Sequence, residues 1–163
     1  MGRGKFDSVE LMGWELPTRA KHFAERGDIF IGKIWGSVEK WCIIGDVNRH
    51  YVVTNGCHRF RLKDGKEDYL IDIVAYFSSE SFAAQMRALA RGSDGLDEVT
   101  EDDMLKIPLP KVHDEANRKL LRPFVENLLI GRQNLHAVIS NMLGNGQLKI
   151  PITPKRPNHT VLV

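Results

Sequence analysis

Six histidines, two cysteines and a scatter of carboxylates are the side chains of this 163-residue chain that could hold a metal or move a proton. His22, His50, His58, His113, His136 and His159 never fall into HxxxH or HExxH spacing, which would stack two imidazoles on one helix face for zinc. Cys57 and His58 are adjacent, so a strand would point them to opposite faces. A zinc site could be assembled from His50, Cys57 and His58, but solvated or singly hydrogen-bonded histidines explain the same residues more simply. The segment Gly27-Asp-Ile-Phe-Ile-Gly32-Lys33 has the GxxxxGK spacing of a phosphate-binding loop, yet the next position, where magnesium needs a hydroxyl, is Ile34. Ile29, Phe30 and Ile31 suit a strand better than a loop whose amides face phosphate.

Acid-base or nuclease chemistry would draw on Asp28, Glu39, Asp46, Asp64, Glu67 and Asp68, single acids in turns that more often act as solvated caps. With no nucleophile-base pair, metal-ligand spacing or cofactor loop, the expectation is a non-catalytic chain with no cofactor and no metal. The rival expectation is a small metal-dependent nuclease using those acids.

A different chemistry comes from the cations. In a strand over 57–62, alternation places His58, Phe60 and Leu62 on one face and Cys57, Arg59 and Arg61 on the other. If the first face is core, two arginines project together, as phosphate contacts or base readers would. Lys33, Lys40 and Arg49 lie in the same stretch with Trp35 and Trp41 interleaved, a mixture that points to nucleic acid. Arg87 and Arg91 on a following helix are further candidates. The plainer reading is that strand-face arginines only keep the surface solvated.

These residues need elements to hold them. Turn residues Gly32, Gly36, Gly45 and the Asn55-Gly56 pair punctuate β-rich pieces at 28–34, 40–44, 51–54 and 57–62, a small, largely antiparallel sheet. Residues 1–27 read as a loose lead-in with one helical turn at 18–25. Leu70, Ile73, Val74 and Phe77, then Phe82, Met86, Leu89 and Ala90, recur at helical spacing, with Ser78 or Ser79 as a cap between and Gly92 as a terminator. Thr100 with Asp103 resembles a capping box for a short helix that must stop by Ile107, before Pro108. Beyond Asp114, Leu121, Leu128, Leu135 and Met142 are seven apart, with Phe124 and Val138 between them and Val125 and Ile139 alongside. That seam predicts a long C-terminal spacer-like helix, kinked or restarted at Pro123, whose apolar stripe binds a partner. The expected division is a lead-in at 1–27, an α+β (α/β) domain at 28–112, the spacer helix at 113–146 and an extended basic tail at 147–163.

Composition places the chain in an ordinary globular class: 42% hydrophobic, 27% charged, net charge +2, so any basic patch must be local. With no long apolar run there is no spanning helix and no membrane partner is expected. Two cysteines without CxxC pairing fit a reduced, cytoplasmic protein.

The order of features resembles a known family. Gly27-Asp-Ile-Phe-Ile-Gly-Lys-Ile-Trp-Gly-Ser-Val-Glu-Lys40 is similar to the "GDIL…R…G…GK" segment of target recognition domains in the specificity subunits of type I restriction-modification systems, and Val53 to Leu62 to the strand that follows. Tyr69 to Leu89 resembles that family's helices, and Gly92-Ser-Asp-Gly95, Asp102-Asp-Met-Leu105 and Ile107-Pro-Leu-Pro110 resemble its closing motifs, so the likeness spans 27–110. It implies a module that reads a short sequence in double-stranded DNA for a partner adenine methyltransferase, with the 121–142 seam as spacer helix. A half-subunit, a fragment, or a recognition domain fused to its methyltransferase are all compatible expectations. A homodimer through Leu121, Val125, Leu128, Leu135, Ile139 and Met142 is the expected assembly, and a pure assembly module the third reading.

Overall fold

Ile29, Phe30 and Ile31 form an apolar run without alternation, the pattern of a strand covered on both faces. The computed structural model, which describes residues 2–45, 51–63, 66, 68–91 and 97–130, makes that run the centre of the molecule. In chain order the strands are β1 (Ala20–Phe23), β2 (Ile29–Gly32), β3 (Trp41–Ile43), β4 (Val52–Thr54) and β5 (Cys57–Phe60). The helices α1 (Tyr69–Phe77), α2 (Glu80–Leu89), α3 (Glu101–Lys106) and α4 (Glu115–Leu129) follow. β3, β2 and β5 form one antiparallel sheet with β2 in the middle, and β1 pairs with β4 as a separate antiparallel ribbon. The chain is thus an α+β mixture of small antiparallel sheets and helices, as its periodicities imply.

Two corrections concern strand pairing. The lead-in is not loose throughout: Ala20 to Phe23 is a strand, and the turn expected at 18–25 is a short 3-10 turn at Gly13–Glu15 instead. Further upstream, Gly4 N donates to Trp41 O at 2.8 Å and Trp41 N to Gly2 O at 3.0 Å, so the N-terminus covers the edge of β3. Both features depend on partners distant in sequence, which local spacing does not encode. The Asn55-Gly56 turn exists, but it carries the chain from one sheet to the other, since β4 pairs with β1 and β5 with β2.

β2 is buried on both faces. Towards the helices, Ile29 and Ile31 join Trp41, Ile43, Phe60, most of α1 and the inner faces of α2 and α4 in the main core. Trp41 Nε1 donates to Phe77 O at 2.9 Å, and Phe77 stacks on Phe82 with ring centroids 4.2 Å apart. On the other face, Phe30, Cys42 and Ile44 make a smaller cluster with Phe6, Ala24, Val53 and Cys57 beneath the ribbon. Glycine is required at the end of β2, because a Cβ on Gly32 would lie 2.1 Å from Ser37 O. It is also required at Gly27, where φ is +85° on entry to the strand.

The helix ends follow their caps. Ser79 accepts from Phe82 N, Thr100 from Asp103 N and Asp114 from Ala116 N. α2 ends at Leu89 without reaching Gly92, which lies outside the described residues. α4 runs through Pro123 without interruption from Glu115 to Leu129, about 22 Å at 1.5 Å per residue. Its seam is corrected: Leu121, Val125 and Leu128 are buried in the main core where α4 packs on α1, leaving no open stripe there. Asp72 on α1 fixes that packing, its Oδ1 accepting from Val112 N at 2.8 Å and Arg118 Nη1 at 2.7 Å. Leu135, Ile139 and Met142, like the basic tail, lie outside the described residues.

Candidate nucleic-acid interface

β5 positions the site, because its alternation turns neighbouring side chains to different environments. Its inner-face residue His58 reaches the segment before α3, where Nε2 donates to Val99 O at 2.7 Å. Burial holds its pKa below the ordinary histidine value, more than the carbonyl contact raises it. Arg59 and Arg61 share the other face, as alternation requires, but their surroundings differ. Arg61 is bidentate to Asp28, Nε to Oδ1 at 2.6 Å and Nη2 to Oδ2 at 3.0 Å, and Nη1 lies 2.9 Å from Glu25 Oε2. Asp28 is wholly buried, so this guanidinium serves as its counter-charge, and the pair drives the arginine pKa further up. Arg59 is exposed, its Nη1 donating to the Phe23 carbonyl at 3.1 Å.

The expectation of two arginines projecting side by side is therefore corrected to one. The face opposite the core is covered by the ribbon, and Asp28 turns Arg61 into a structural residue. Arg87 is similarly engaged, with Nη1 2.6 Å from Glu39 Oε2 and Nη2 on Glu80, while Arg3 also reaches Glu39. These contacts place Glu39 and Asp28, two of the six acids a nuclease could draw on, in ion pairs. Arg91 is exposed, and its backbone exchanges both hydrogen bonds with Glu98 at 3.0 Å. Lys40 is half-buried at the turn into β3, its carbonyl accepting from Gly32 N at 2.9 Å. Arg49 lies outside the described residues.

Lys33 and Arg59 are the two predicted cations that the fold brings to one place. They line a cleft of about 450 Å³ with His22, Asn55, Cys57, His58, Phe60 and Glu101. Lys33 Nζ is 3.9 Å from Glu98 Oε2, a loose contact at a half-exposed position. Phe23 and Trp35 are exposed aromatics on the chain near these cations, Phe23 through the carbonyl that holds Arg59 and Trp35 two residues beyond Lys33. Asn55, His22 and Glu101 are not among the residues that the sequence marks for nucleic acid. Asn55 carries a signal, as the first residue of the Asn-Gly turn, whereas His22 and Glu101 arrive through long-range pairing and packing.

Burial pushes the Cys57 thiol up and the Cys42 thiol to about 12, so both stay protonated near neutrality and neither is an activated nucleophile. Among the described residues, no group of three or more histidines, cysteines or acids is placed to share a metal ion. No helix among them is long and apolar enough to cross a membrane. What the cleft offers is two cations, an amide, imidazoles and a carboxylate around a partly apolar floor. Such a set can take phosphate on its rim and hydrogen-bond a base edge within. Comparison with models of protein families, with curated proteins and with solved structures finds no match for this chain.

Proposed function

We propose that the chain is a sequence-specific DNA recognition module of a restriction-modification system, directing a partner adenine methyltransferase and its associated endonuclease to their target. The observation that carries this reading is the cleft where Lys33 and Arg59 stand without tight carboxylate partners beside Asn55, whose amide can read an adenine edge in the major groove. The order of motifs from Gly27 to Pro110 supplies the class of system. In this reading Lys33 and Arg59 set register on the phosphates, while Asn55 and Glu101 contribute base discrimination; Arg61 and Arg87 act only through the fold. The module itself supplies no chemistry, which belongs to its partner.

Selection from a randomised duplex library with the full chain tests the proposal. It predicts enrichment of a short shared sequence, with the preference relaxed in Asn55→Ala and overall binding weakened in Arg59→Ala. Failure to retain any duplex at low salt contradicts it. Magnesium-dependent cutting by the purified chain, abolished by Asp28→Asn or Glu39→Gln, would favour the nuclease reading instead.

A further inference from the structure

We infer that the outer face of the β1–β4 ribbon enters the major groove of duplex DNA, with Arg19 and Lys21 on phosphate and Phe23 against thymine methyls. The inference rests on the proposed reading of the chain as a DNA recognition module, and it adds to the cleft an element and three residues. One face of the ribbon is already used by the fold. His22 and Val53, paired across it, turn inward: His22 tilts over Phe30 with ring centroids 6.3 Å apart, and Val53 packs on the small buried cluster. By alternation the next pair, Phe23 with Val52, turns outward, and Phe23 is 69% exposed.

The outer face is cationic. Residues 19–24 and 51–55, the ribbon with its ends, carry Arg19 and Lys21 and no acid. Both cations are exposed, and neither has an ion pair or side-chain hydrogen bond among the described residues. Arg61, Arg87 and Arg118, by contrast, each meet a carboxylate within 2.7 Å. The nearest acids in sequence on either side are engaged elsewhere: Glu15 Oε2 accepts from Met12 N at 2.8 Å, and Glu25 Oε2 lies 2.9 Å from Arg61 Nη1. Lys21 stands where the register shifts between Ala20 and His22, so that β1 has one residue more than β4. A bulge of this kind re-aims a side chain and is over-represented beside functional sites.

This face continues the cleft. Asn55 N donates to Arg19 O at 2.8 Å, and Arg59 Nη1 donates to Phe23 O at 3.1 Å, so both ends of β1 are tied to residues that line it. Arg19, Lys21, Arg59 and Lys33 thus make one run of cations from the ribbon into the cleft, and among the described residues none has a carboxylate closer than 3.9 Å. A two-stranded ribbon is one of the elements that a major groove about 12 Å wide admits, and a phenylalanine there meets thymine methyls. The deep, narrow major groove of duplex RNA shuts the same ribbon out.

Binding of the full chain to a randomised DNA duplex, followed over a salt series, is the test. Arg19→Gln with Lys21→Gln should flatten the log-log slope by roughly 1.8, two contacts at roughly 0.9 each, with stability unchanged because both side chains are exposed and unpaired. Phe23→Ala should weaken binding about tenfold and leave the slope as it is, since it removes an apolar contact and no charge. Lys111→Gln with Lys119→Gln, exposed lysines on the helix side, should change neither. Methyl green, which occupies the major groove, should compete, and duplex RNA should compete poorly. An unchanged slope in the ribbon variant, an equal loss from the helix-side lysines, or duplex RNA held as tightly as DNA would overturn the inference and leave the functional reading standing. A flattened slope without any sequence preference in the wild type would remove the functional reading and keep the ribbon contact. A wild type that retains no duplex at low salt removes both.

Discussion

The two faces of β2 bury comparable side chains, Ile29 and Ile31 on one and Phe30 on the other, yet they support different structures. On the helix side, all four helices contribute to a continuous core, and the ion pair of Asp72 with Arg118 is nearly enclosed there. On the ribbon side, the buried cluster is Phe30, Cys42 and Ile44, and the residues packed on it, Phe6, Ala24, Val53 and Cys57, are only partly buried. The difference teaches where each property resides: the helix side holds the fold, while the thinly covered ribbon side presents the polar groups that could meet a partner. Arg59 and Arg61 sit on the boundary, two residues apart, one open and one taken into the structure by Asp28.

The sharpest way to break this division is in the core. Asp72→Ala leaves Arg118 without its carboxylate in a nearly enclosed position and should cost about 3 to 5 kcal/mol. Leu121→Ala, at a site with no exposed surface, should cost about 2 to 5 kcal/mol. Denaturant midpoints measure both. If Leu121→Ala instead left stability unchanged and altered only the oligomeric state, α4 would be the assembly seam that its heptads suggest.

Across the sheet the expected loss is smaller. Arg61→Ala removes the counter-charge of the buried Asp28 carboxylate, which keeps only the hydrogen bond from Glu25 N, and should cost about 2 kcal/mol, the range for hydrogen bonds to a charged group at a partly solvated donor. It should leave the affinity of the folded protein for DNA unaltered. A stability loss confined to the noise, with weakened DNA binding, would return Arg61 to the interface.

The smallest effect is expected from His58. Its folded-state pKa is lowered by burial, so just below the ordinary value of 6.5 the unfolded chain binds more protons than the folded one. Stability contributed by keeping His58 neutral is therefore complete above that value and declines as pH falls through it. Thermal melts between about pH 7.5 and 5.5 should show the decline in the wild type and a shallower one in His58→Gln, since glutamine can still donate but cannot titrate. Identical slopes would mean the imidazole is as free to protonate in the fold as out of it.

What could be read without coordinates follows from the range of the interactions. The apolar run at Ile29 to Ile31 and the caps at Ser79 and Thr100 are local, and the fold uses them as their chemistry dictates. β1 is not legible because Ala-Lys-His-Phe becomes a strand only through Val52 to Thr54, some thirty positions on. Heptad spacing at Leu121 and Leu128 says that a helix has one apolar face but not what covers it, and here α1 does. The same limit governs the site: alternation assigns Arg59 and Arg61 to one face, while the identity of their partners, Phe23 O for one and Asp28 for the other, is a property of tertiary packing.

The central claim is that the open cations of the ribbon side, and not the ion-paired ones, meet phosphate. Its most direct test is the salt dependence of duplex binding by two double variants, Lys33→Ala with Arg59→Ala and Arg61→Ala with Arg87→Ala, each verified as folded at the assay temperature. Each phosphate contact contributes roughly 0.9 to the log-log slope, so removing Lys33 and Arg59 should flatten it by roughly 1.8 while the other pair leaves it unchanged. A slope that persists without Lys33 and Arg59 and flattens without Arg61 and Arg87 would contradict the account.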